Sequence, residues 1–132
     1  MKIEEGTVVA VYPERGTVKV QREESDSVIS AELPVIFRGT LKNKEFSMPV
    51  LNEQVVCIFS KGSTGYVLGA IYSDVTPPPV ADLAKHYFKF EDGAKFEYDT
   101  AAHVLTVLCE TLQVDGNIIC SGTITTGGVD NG

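Results

Sequence analysis

The sequence has no tryptophan, two histidines and three cysteines, and no apolar run approaches the roughly 20 residues that span a bilayer. Cys57, Cys109 and Cys120 are odd in number, widely spaced and free of any CxxC pair, which argues against a disulfide framework or a zinc site. We therefore expect three reduced thiols in the core. The N-terminus, MKIEEGTVV, lacks the apolar stretch of a signal peptide, so we expect a soluble protein made in the cytoplasm.

Basic charge is scarce as well. The chain has 11 Lys and Arg against 18 Asp and Glu, which gives a net charge of −7. Nucleic-acid binding needs the opposite sign, because phosphate contacts supply most of the affinity. The one basic cluster is RGTLKNK, with Arg38, Lys42 and Lys44. Nucleic acid is therefore not an expected partner.

Catalytic patterns are missing too. The acids lie in turns or alternate along strands, so no carboxylate pair stands out, and there is no Ser/His/Asp arrangement, phosphate loop or metal-ligand spacing. His86 and His103 are 17 residues apart, and we interpret them as surface or strand-packing residues rather than ligands. The sequence predicts a protein that is not an enzyme.

What is present divides into two β-rich regions around a proline run. Pro77, Pro78 and Pro79 remove three consecutive backbone donors and favour an extended conformation. We predict a stiff linker over residues 76–84, which joins a head (1–75) to a tail (85–132).

The head has the pattern of a small barrel. PERG predicts a turn that begins at Pro13 and ends at Gly16. Gly65 and Gly69 mark places where a barrel strand bends or meets another backbone. Five or six short strands without helical periodicity favour an oligonucleotide/oligosaccharide-binding (OB) type of barrel. These strands are expected in segments 6–13, 16–23, 27–36, 46–48, 53–60 and 66–73.

The tail begins with a predicted hairpin across Asp92 and Gly93, a pair typical of two-residue turns, with aromatic residues on one face. Glycine then returns every six residues, at Gly116, Gly122 and Gly128, as in β-solenoid repeats. An extended strand there would place these small and apolar residues on one side: Leu112, Val114, Gly116, Ile118, Cys120, Gly122 and Ile124.

This last segment has too few large apolar side chains to order itself. Ordering each residue costs on the order of 1.5 kcal/mol, and a lone ribbon would leave its side chains and strand edges open. Further copies of the same chain would complete the burial. We predict three chains wound together, with Val114, Ile118 and Ile124 filling the axis.

Several stretches resemble a known family. They are GTVVAVYPERGTVKVQ, LPVI, and SMPVLNEQVVCIFSKGSTGYVLGAIYSD followed by prolines. They are similar to the phage baseplate assembly protein V family, the central spikes of contractile tails, to which type VI secretion spikes are more distantly related. Asn52 stands where the family usually has glycine. The residues that carry the collar motif are Pro49, Glu53, Gln54, Val55, Gly65, Leu68, Gly69 and Tyr72.

The resemblance implies an all-β homotrimer with an OB-like collar of five or six strands, followed by an intertwined β-helix spike. Such a spike caps the tail tube and meets the cell envelope when the sheath contracts. Its implied partners are its own copies, a baseplate hub protein, the tail tube and the target envelope, with a separate tip-capping protein as one way to finish the point. The particle, implied to be assembled in the host cytoplasm, is left open between a phage, a tail-like bacteriocin and another injection machine.

One family feature is missing. Many members end in a His-x-His pair that holds iron at the tip of the trimer, whereas GGVDNG offers only Asp130 and Asn131. We therefore expect no iron and no other cofactor. The alternative function is an OB-fold module that binds nucleic acid or oligosaccharide and carries a trimerising tail.

Overall fold

The computed structural model describes residues 1–127 and is all-β, as the sequence predicts. The chain divides into two compact units, Met1–Pro78 and Pro79–Gly132, called here the head unit and the tail unit. The head unit contains β1 (Lys2–Tyr12), β2 (Thr17–Arg22), β3 (Leu33–Pro34), β4 (Gln54–Lys61) and β5 (Thr64–Ala70). The tail unit contains β6 (Lys85–Lys89), β7 (Lys95–Asp99) and β8 (Val104–Leu108).

The five strands of the head unit form one antiparallel sheet in the order β3-β2-β1-β4-β5. Its two edges nearly meet. Val35, just after β3, makes a parallel bridge to Val67 of β5, and the Ile36 N–H donates to the Val67 carbonyl at 3.0 Å. The sheet is therefore a nearly closed barrel, consistent with the predicted OB-like head.

Alternation along these strands gives the barrel its core, because successive side chains of a strand point to opposite faces. Most of the large apolar side chains at the inward positions of these strands are valines. The fully or almost fully buried apolar side chains are Val8, Val18, Val20, Leu33, Val55, Cys57, Phe59 and Val67.

The turn between β1 and β2 is confirmed. Pro13–Arg15 form a single 3₁₀ turn, and Gly16 closes it with φ 66° and an N–H donated to the Pro13 carbonyl. Glycine adopts this left-handed conformation without the steric conflict that a side chain brings.

Two predicted head strands are wrong or reduced. No strand forms over 46–48, because Phe46 stacks on Phe37 with ring centroids 6.0 Å apart and the preceding loop closes on itself, Glu45 N–H to the Gly39 carbonyl. Segment 27–36 contributes only the two residues of β3. Pro34 has no N–H for a longer ladder.

Gly65 and Gly69 differ in their surroundings. A Cβ on Gly65 would overlap the Ile58 carbonyl oxygen, so the predicted close backbone approach is confirmed there. Open space surrounds Gly69, with no atom within 4 Å of a Cβ built on it. It instead adjoins a β-bulge, since Gly69 pairs with Val56 while Val67 pairs with Cys57. The intervening Leu68 is the extra residue.

The tail unit holds a three-stranded antiparallel sheet in the order β6-β7-β8. The hairpin between β6 and β7 is confirmed, but its turn is longer than the two residues predicted. Phe90 and Ala94 pair across a three-residue loop, in which Gly93 has φ 91° and donates to the Phe90 carbonyl. A glycine at the end of a three-residue loop is a common hairpin geometry.

Residues 71–84 form neither strand nor helix, and Pro77, Pro78 and Pro79 within them are exposed. None of the helical residues described here makes a helix long or apolar enough to cross a membrane. Of the three thiols expected in the core, only Cys57 is buried. Cys109 and Cys120 are exposed because they follow β8, and residues 109–127 form no further sheet that could cover them.

Candidate assembly surface

One face of the tail sheet is apolar and open to solvent. The strand register places Phe88 opposite Phe96 and Phe96 opposite Val107, so the three share a face. The rings of Phe88 and Phe96 pack with centroids 6.0 Å apart, yet half of the Phe88 side chain remains exposed. We call this surface the aromatic face; its residues are His86, Phe88, Phe96, Tyr98, Leu105 and Val107.

The opposite face of the same sheet carries charged side chains together with the exposed Val104 and Leu108. Glu97 is 8% exposed. Its Oε1 forms an ion pair with Lys85 Nζ at 3.5 Å, and its Oε2 forms one with Lys95 Nζ at 3.6 Å. The Lys95 ammonium also lies 5.9 Å from the centroid of the Tyr87 ring. The charged groups are thus paired locally, while the apolar groups lack cover.

The C-terminal segment, defined as residues 109–127, continues this exposure. The sequence predicted a strand through Leu112–Ile124, but in the single chain these residues form bends and extended coil without a ladder. Strand formation needs a neighbouring strand to pair backbone groups, and within residues 1–127 no strand lies beside this segment to do so. The large apolar side chains of the predicted core are all exposed: Leu112 70%, Val114 47%, Ile118 72% and Ile124 73%.

The small residues of that predicted core are equally open. Cys120 is exposed, and nothing lies within 4 Å of a Cβ built on Gly116 or Gly122. Gly116 has φ 147°, which disfavours a side chain on conformational grounds. Gly122 has no positive φ, so nothing in the single chain requires a glycine at that position. Gly128, Asp130 and Asn131 lie outside the described residues.

The two units differ in whether they bury apolar side chains. Among residues 79–127, Glu97 is the one buried side chain, and no apolar side chain is buried. Contiguous exposed apolar surface of this kind marks an interaction site, and short sheets need packing on one face to be stable. The aromatic face and the C-terminal segment therefore form a candidate assembly surface. Sequence reasoning found the segment and the aromatic alternation, but missed that the aromatic face would be the open one.

The collar motif lies elsewhere, on the β4–β5 hairpin. Pro49, Val55 and Gly65 are buried, while Leu68 and Tyr72 are exposed. The structure brings the two ends of the motif together around a groove of about 480 Å³, which we call the collar groove. It is lined by Val50, Leu51, Asn52, Glu53, Gln54, Ala70, Ile71, Tyr72 and Thr76.

A buried ion pair in the head unit was missed from the sequence. Glu4 is 2% exposed; Arg22 donates to its Oε1 from Nη2 at 2.7 Å and from Nε at 3.1 Å. Burial of the carboxyl works against ionisation, but the Arg22 and Glu24 hydrogen bonds outweigh it and lower the pKa of Glu4. The strand alternation carries the signal for this pair. Glu4 occupies an inward position of β1, as Val8 does, and Arg22 occupies an inward position of β2, as Val20 does.

No protein-family model matches this chain, and no curated protein is significantly similar to it in sequence. Within residues 1–127, no group of three or more His, Cys, Asp and Glu side chains is placed to hold a metal ion. The family resemblance therefore rests on motifs of the sequence alone, in the head and linker and, in the tail, in EDGAKFEYDTAAHVLTV and the glycine-spaced repeat.

Proposed function

We propose that this protein is the central spike subunit of a contractile phage tail or tail-like particle, and that it works as a homotrimer. The head unit serves as the collar under the tail tube, and the tail unit wraps with two other copies into the spike. The role is mechanical, and no catalysis and no tip iron are part of it.

The observation that carries the proposal is the uncovered tail unit. From Phe88 to Ile124 every large apolar side chain is at least 40% exposed, and most of them lie on the aromatic face or along the C-terminal segment. Full burial of such a side chain stabilises by about 1.5–3 kcal/mol, so an assembly that covers them gains much of the energy that the single chain lacks. Copies of the same chain supply both the matching apolar surface and the missing strand partners.

Three copies suit this surface better than two. A pair of ribbons leaves two outer edges unpaired, whereas three that wind around one axis let each edge meet a neighbour. Small residues at 116, 120 and 122 then permit close approach at the axis. The family resemblance of the head independently implies the same number.

The head charges favour a protein partner over nucleic acid. Arg38 is paired with Glu45 at 2.8 Å, and Arg15 with Glu32 at 2.8 Å and Glu14 at 3.0 Å, so these cations are already neutralised. A nucleic-acid groove needs cations that face phosphates. In the proposed particle the partners are the baseplate hub, the tail tube, the target envelope and, at the tip, a capping protein. The trimer is assembled in the host cytoplasm and then joins the virion baseplate.

The first test is the solution mass of the purified chain by light scattering. We expect three times the mass of one chain, unchanged on dilution through the micromolar range. A single-chain mass would overturn the proposal. A shift of single-stranded DNA at moderate salt would favour the alternative of a nucleic-acid module.

Thiol labelling tells where the copies meet. In a single chain Cys120 and Cys109 are exposed and label fast, whereas burial, with the nearby Glu4 carboxylate, raises the pKa of the Cys57 thiol to about 11 and keeps it unreactive. If three copies wind around the segment, Cys120 is protected until the assembly dissociates. Cys57 is the internal control, since it reports unfolding of the head unit alone. Fast labelling of Cys120 in a trimer would place the contacts elsewhere.

A further inference from the structure

The collar groove lies at the end of the barrel where β4 begins and β5 ends, away from the turn that joins those strands. Its volume of about 480 Å³ falls in the range of clefts that bind small molecules. All of its lining residues belong to the head unit. It is therefore a feature of one folded unit and does not depend on the assembly of the tail.

Three polar side chains of the groove have unused hydrogen-bonding capacity. Within residues 1–127, the amides of Asn52 and Gln54 and the phenol of Tyr72 make no intramolecular hydrogen bond, whereas Glu53 Oε1 accepts the Val50 N–H at 3.0 Å. An amide or phenol both donates and accepts, which matches the dual character of a hydroxyl group. Such groups suit a ligand that carries several hydroxyls.

The remaining side chains of the lining are apolar except for Thr76, and Tyr72 also contributes an aromatic ring. Tyr72 is 63% exposed, and Val50 and Leu51 are exposed at 59% and 57%. The face of an aromatic ring is electronegative, so it attracts the partly positive C–H groups that one side of a sugar ring presents. An aromatic ring and apolar side chains beside free amides are a combination that suits a pyranose ring.

The groove is held by a rigid turn. Asn52 has φ 72° and donates its N–H to the Val8 carbonyl at 2.9 Å, and the Val8 N–H donates to the Glu53 carbonyl at 3.0 Å. The other side is fixed by the Ile71 N–H, which donates to the Gln54 carbonyl at 3.1 Å. Both walls are thus tied to the barrel ladder, so little ordering is needed when a ligand binds.

Charge narrows the class of ligand. Glu53 is the one ionisable acid or base in the lining other than the Tyr72 phenol, and no Lys or Arg takes part. Phosphates, nucleotides and acidic sugars would meet a carboxylate without a compensating cation. An apolar peptide side chain would cover Asn52 and Gln54 without pairing them, and a buried polar group that loses its hydrogen bonds to water opposes binding.

We propose that the collar groove binds a neutral pyranose sugar, with the ring against Tyr72 and the hydroxyls hydrogen-bonded to Asn52 and Gln54. The expected affinity is weak, with a Kd on the order of 1–10 mM, because one sugar ring buries little surface.

The test is saturation-transfer NMR on the full chain with three probes: methyl β-glucoside, methyl β-galactoside and N-acetylglucosamine. We expect saturable transfer to the ring C–H protons of at least one probe. Tyr72→Ala should weaken that binding at least about tenfold, which corresponds to the loss of 1.4 kcal/mol. Tyr66→Ala is the matched control, since Tyr66 is an exposed tyrosine of β5 outside the groove, and binding should be unchanged.

A second variant removes only an amide. Asn52→Gly keeps the left-handed turn, because glycine tolerates φ 72°, and should weaken binding while the thermal transition stays in place. No saturable transfer to any of the three sugars up to about 50 mM would overturn the proposal, since a Kd near 10 mM would be well populated there. Binding that Tyr72→Ala and Asn52→Gly leave intact would overturn it too. Neither result bears on the solution mass, which tests the spike separately.

Discussion

The head and tail units have the same kind of sequence and opposite burial. Both read as short strands with apolar residues at alternate positions, and both form antiparallel sheets. Five strands that nearly close on themselves bury eight apolar side chains in the head. Three strands in the tail cannot curl round to cover their own face, so the aromatic face stays open. Alternation therefore predicts the strand, while the number of strands that wrap around it decides whether one chain suffices.

The charged groups show the same contrast on a smaller scale. In the head, Glu4 has no exposed side-chain surface and is enclosed by Arg22, Ser25 and the Glu24 N–H. In the tail, Glu97 keeps 10% side-chain exposure and is shared between Lys85 and Lys95, each about one-third exposed. Burial makes the head pair hard to break, whereas solvent can replace either tail lysine.

The largest expected difference comes from one substitution made at two glycines. In Gly65→Val the new Cβ would overlap the Ile58 carbonyl oxygen, a backbone atom held in the β4–β5 ladder. We expect a loss of more than about 4 kcal/mol in the free energy of unfolding of the head, measured by urea denaturation with circular dichroism. That is a large part of the total stability of a typical domain.

Gly122→Val is the matched change in the tail. Nothing lies within 4 Å of a Cβ there in the single chain, so the head transition should not move. In the proposed trimer the side chain enters a crowded axis, and we expect light scattering to show loss of the trimer. An intact trimer with unchanged thermal stability would show that the glycine spacing is incidental.

A smaller loss is expected from Arg22→Ala. The substitution leaves the buried Glu4 carboxylate with Lys2, 3.8 Å away and half exposed, as its remaining cation. It also removes the guanidinium that lies 3.8 Å from the Phe59 ring centroid. Breaking a buried pair in this way costs about 3–5 kcal/mol. The measurement is the urea midpoint of the head.

The control for Arg22→Ala is Lys85→Ala in the tail. Because Lys95 still faces Glu97 and solvent reaches the site, Lys85→Ala should change the free energy of unfolding of the tail unit by no more than about 1 kcal/mol. Equal effects of the two substitutions would show that the Glu4–Arg22 pair is no better enclosed than the tail pair.

The sequence predicted the head well because its signals are local. The PERG turn, the proline run and the alternation of β1, β2, β4 and β5 depend on neighbouring residues, and each is found in the structure. The predicted strand at 46–48 failed for a tertiary reason, since Phe46 finds Phe37 instead of a strand partner. An aromatic side chain can bury part of its surface by stacking on another ring, and its backbone then need not join a strand ladder.

The candidate assembly surface could be predicted only in part. The repeat through Leu112–Ile124 pointed to missing partners, and these residues are indeed exposed in one chain. Which face of the tail sheet would be open depended on the register of β6, β7 and β8, which local sequence does not fix. The collar groove likewise arises from residues 20 positions apart that meet only when the β4–β5 hairpin closes.

The smallest effect is expected from acid, and it again separates the two units. The pKa of Glu4 is lowered below its ordinary value of 4.5 because the hydrogen bonds from Arg22 and Glu24 outweigh the cost of burial. The contribution of Glu4 to stability is therefore complete above pH 4.5 and is lost as the pH falls through the lowered, folded-state pKa. The loss should be smaller than in Arg22→Ala, because protonation removes the buried charge of Glu4 while Arg22 keeps its bonds to the Gly62 carbonyl and Ser63.

Glu4→Gln should flatten this acid-side decline in the urea midpoint of the head. Asp99→Asn is its counterpart in the tail, where the N–H groups of Ala102 and Ala101 lower the pKa of the Asp99 carboxyl. Asp99 is the last residue of β7 in the tail unit, so its replacement should leave the pH profile of the head unchanged. If Glu4→Gln declined as steeply as the unmodified protein below pH 4.5, the acid sensitivity of the barrel would have to come from carboxyls outside the Glu4–Arg22 pair.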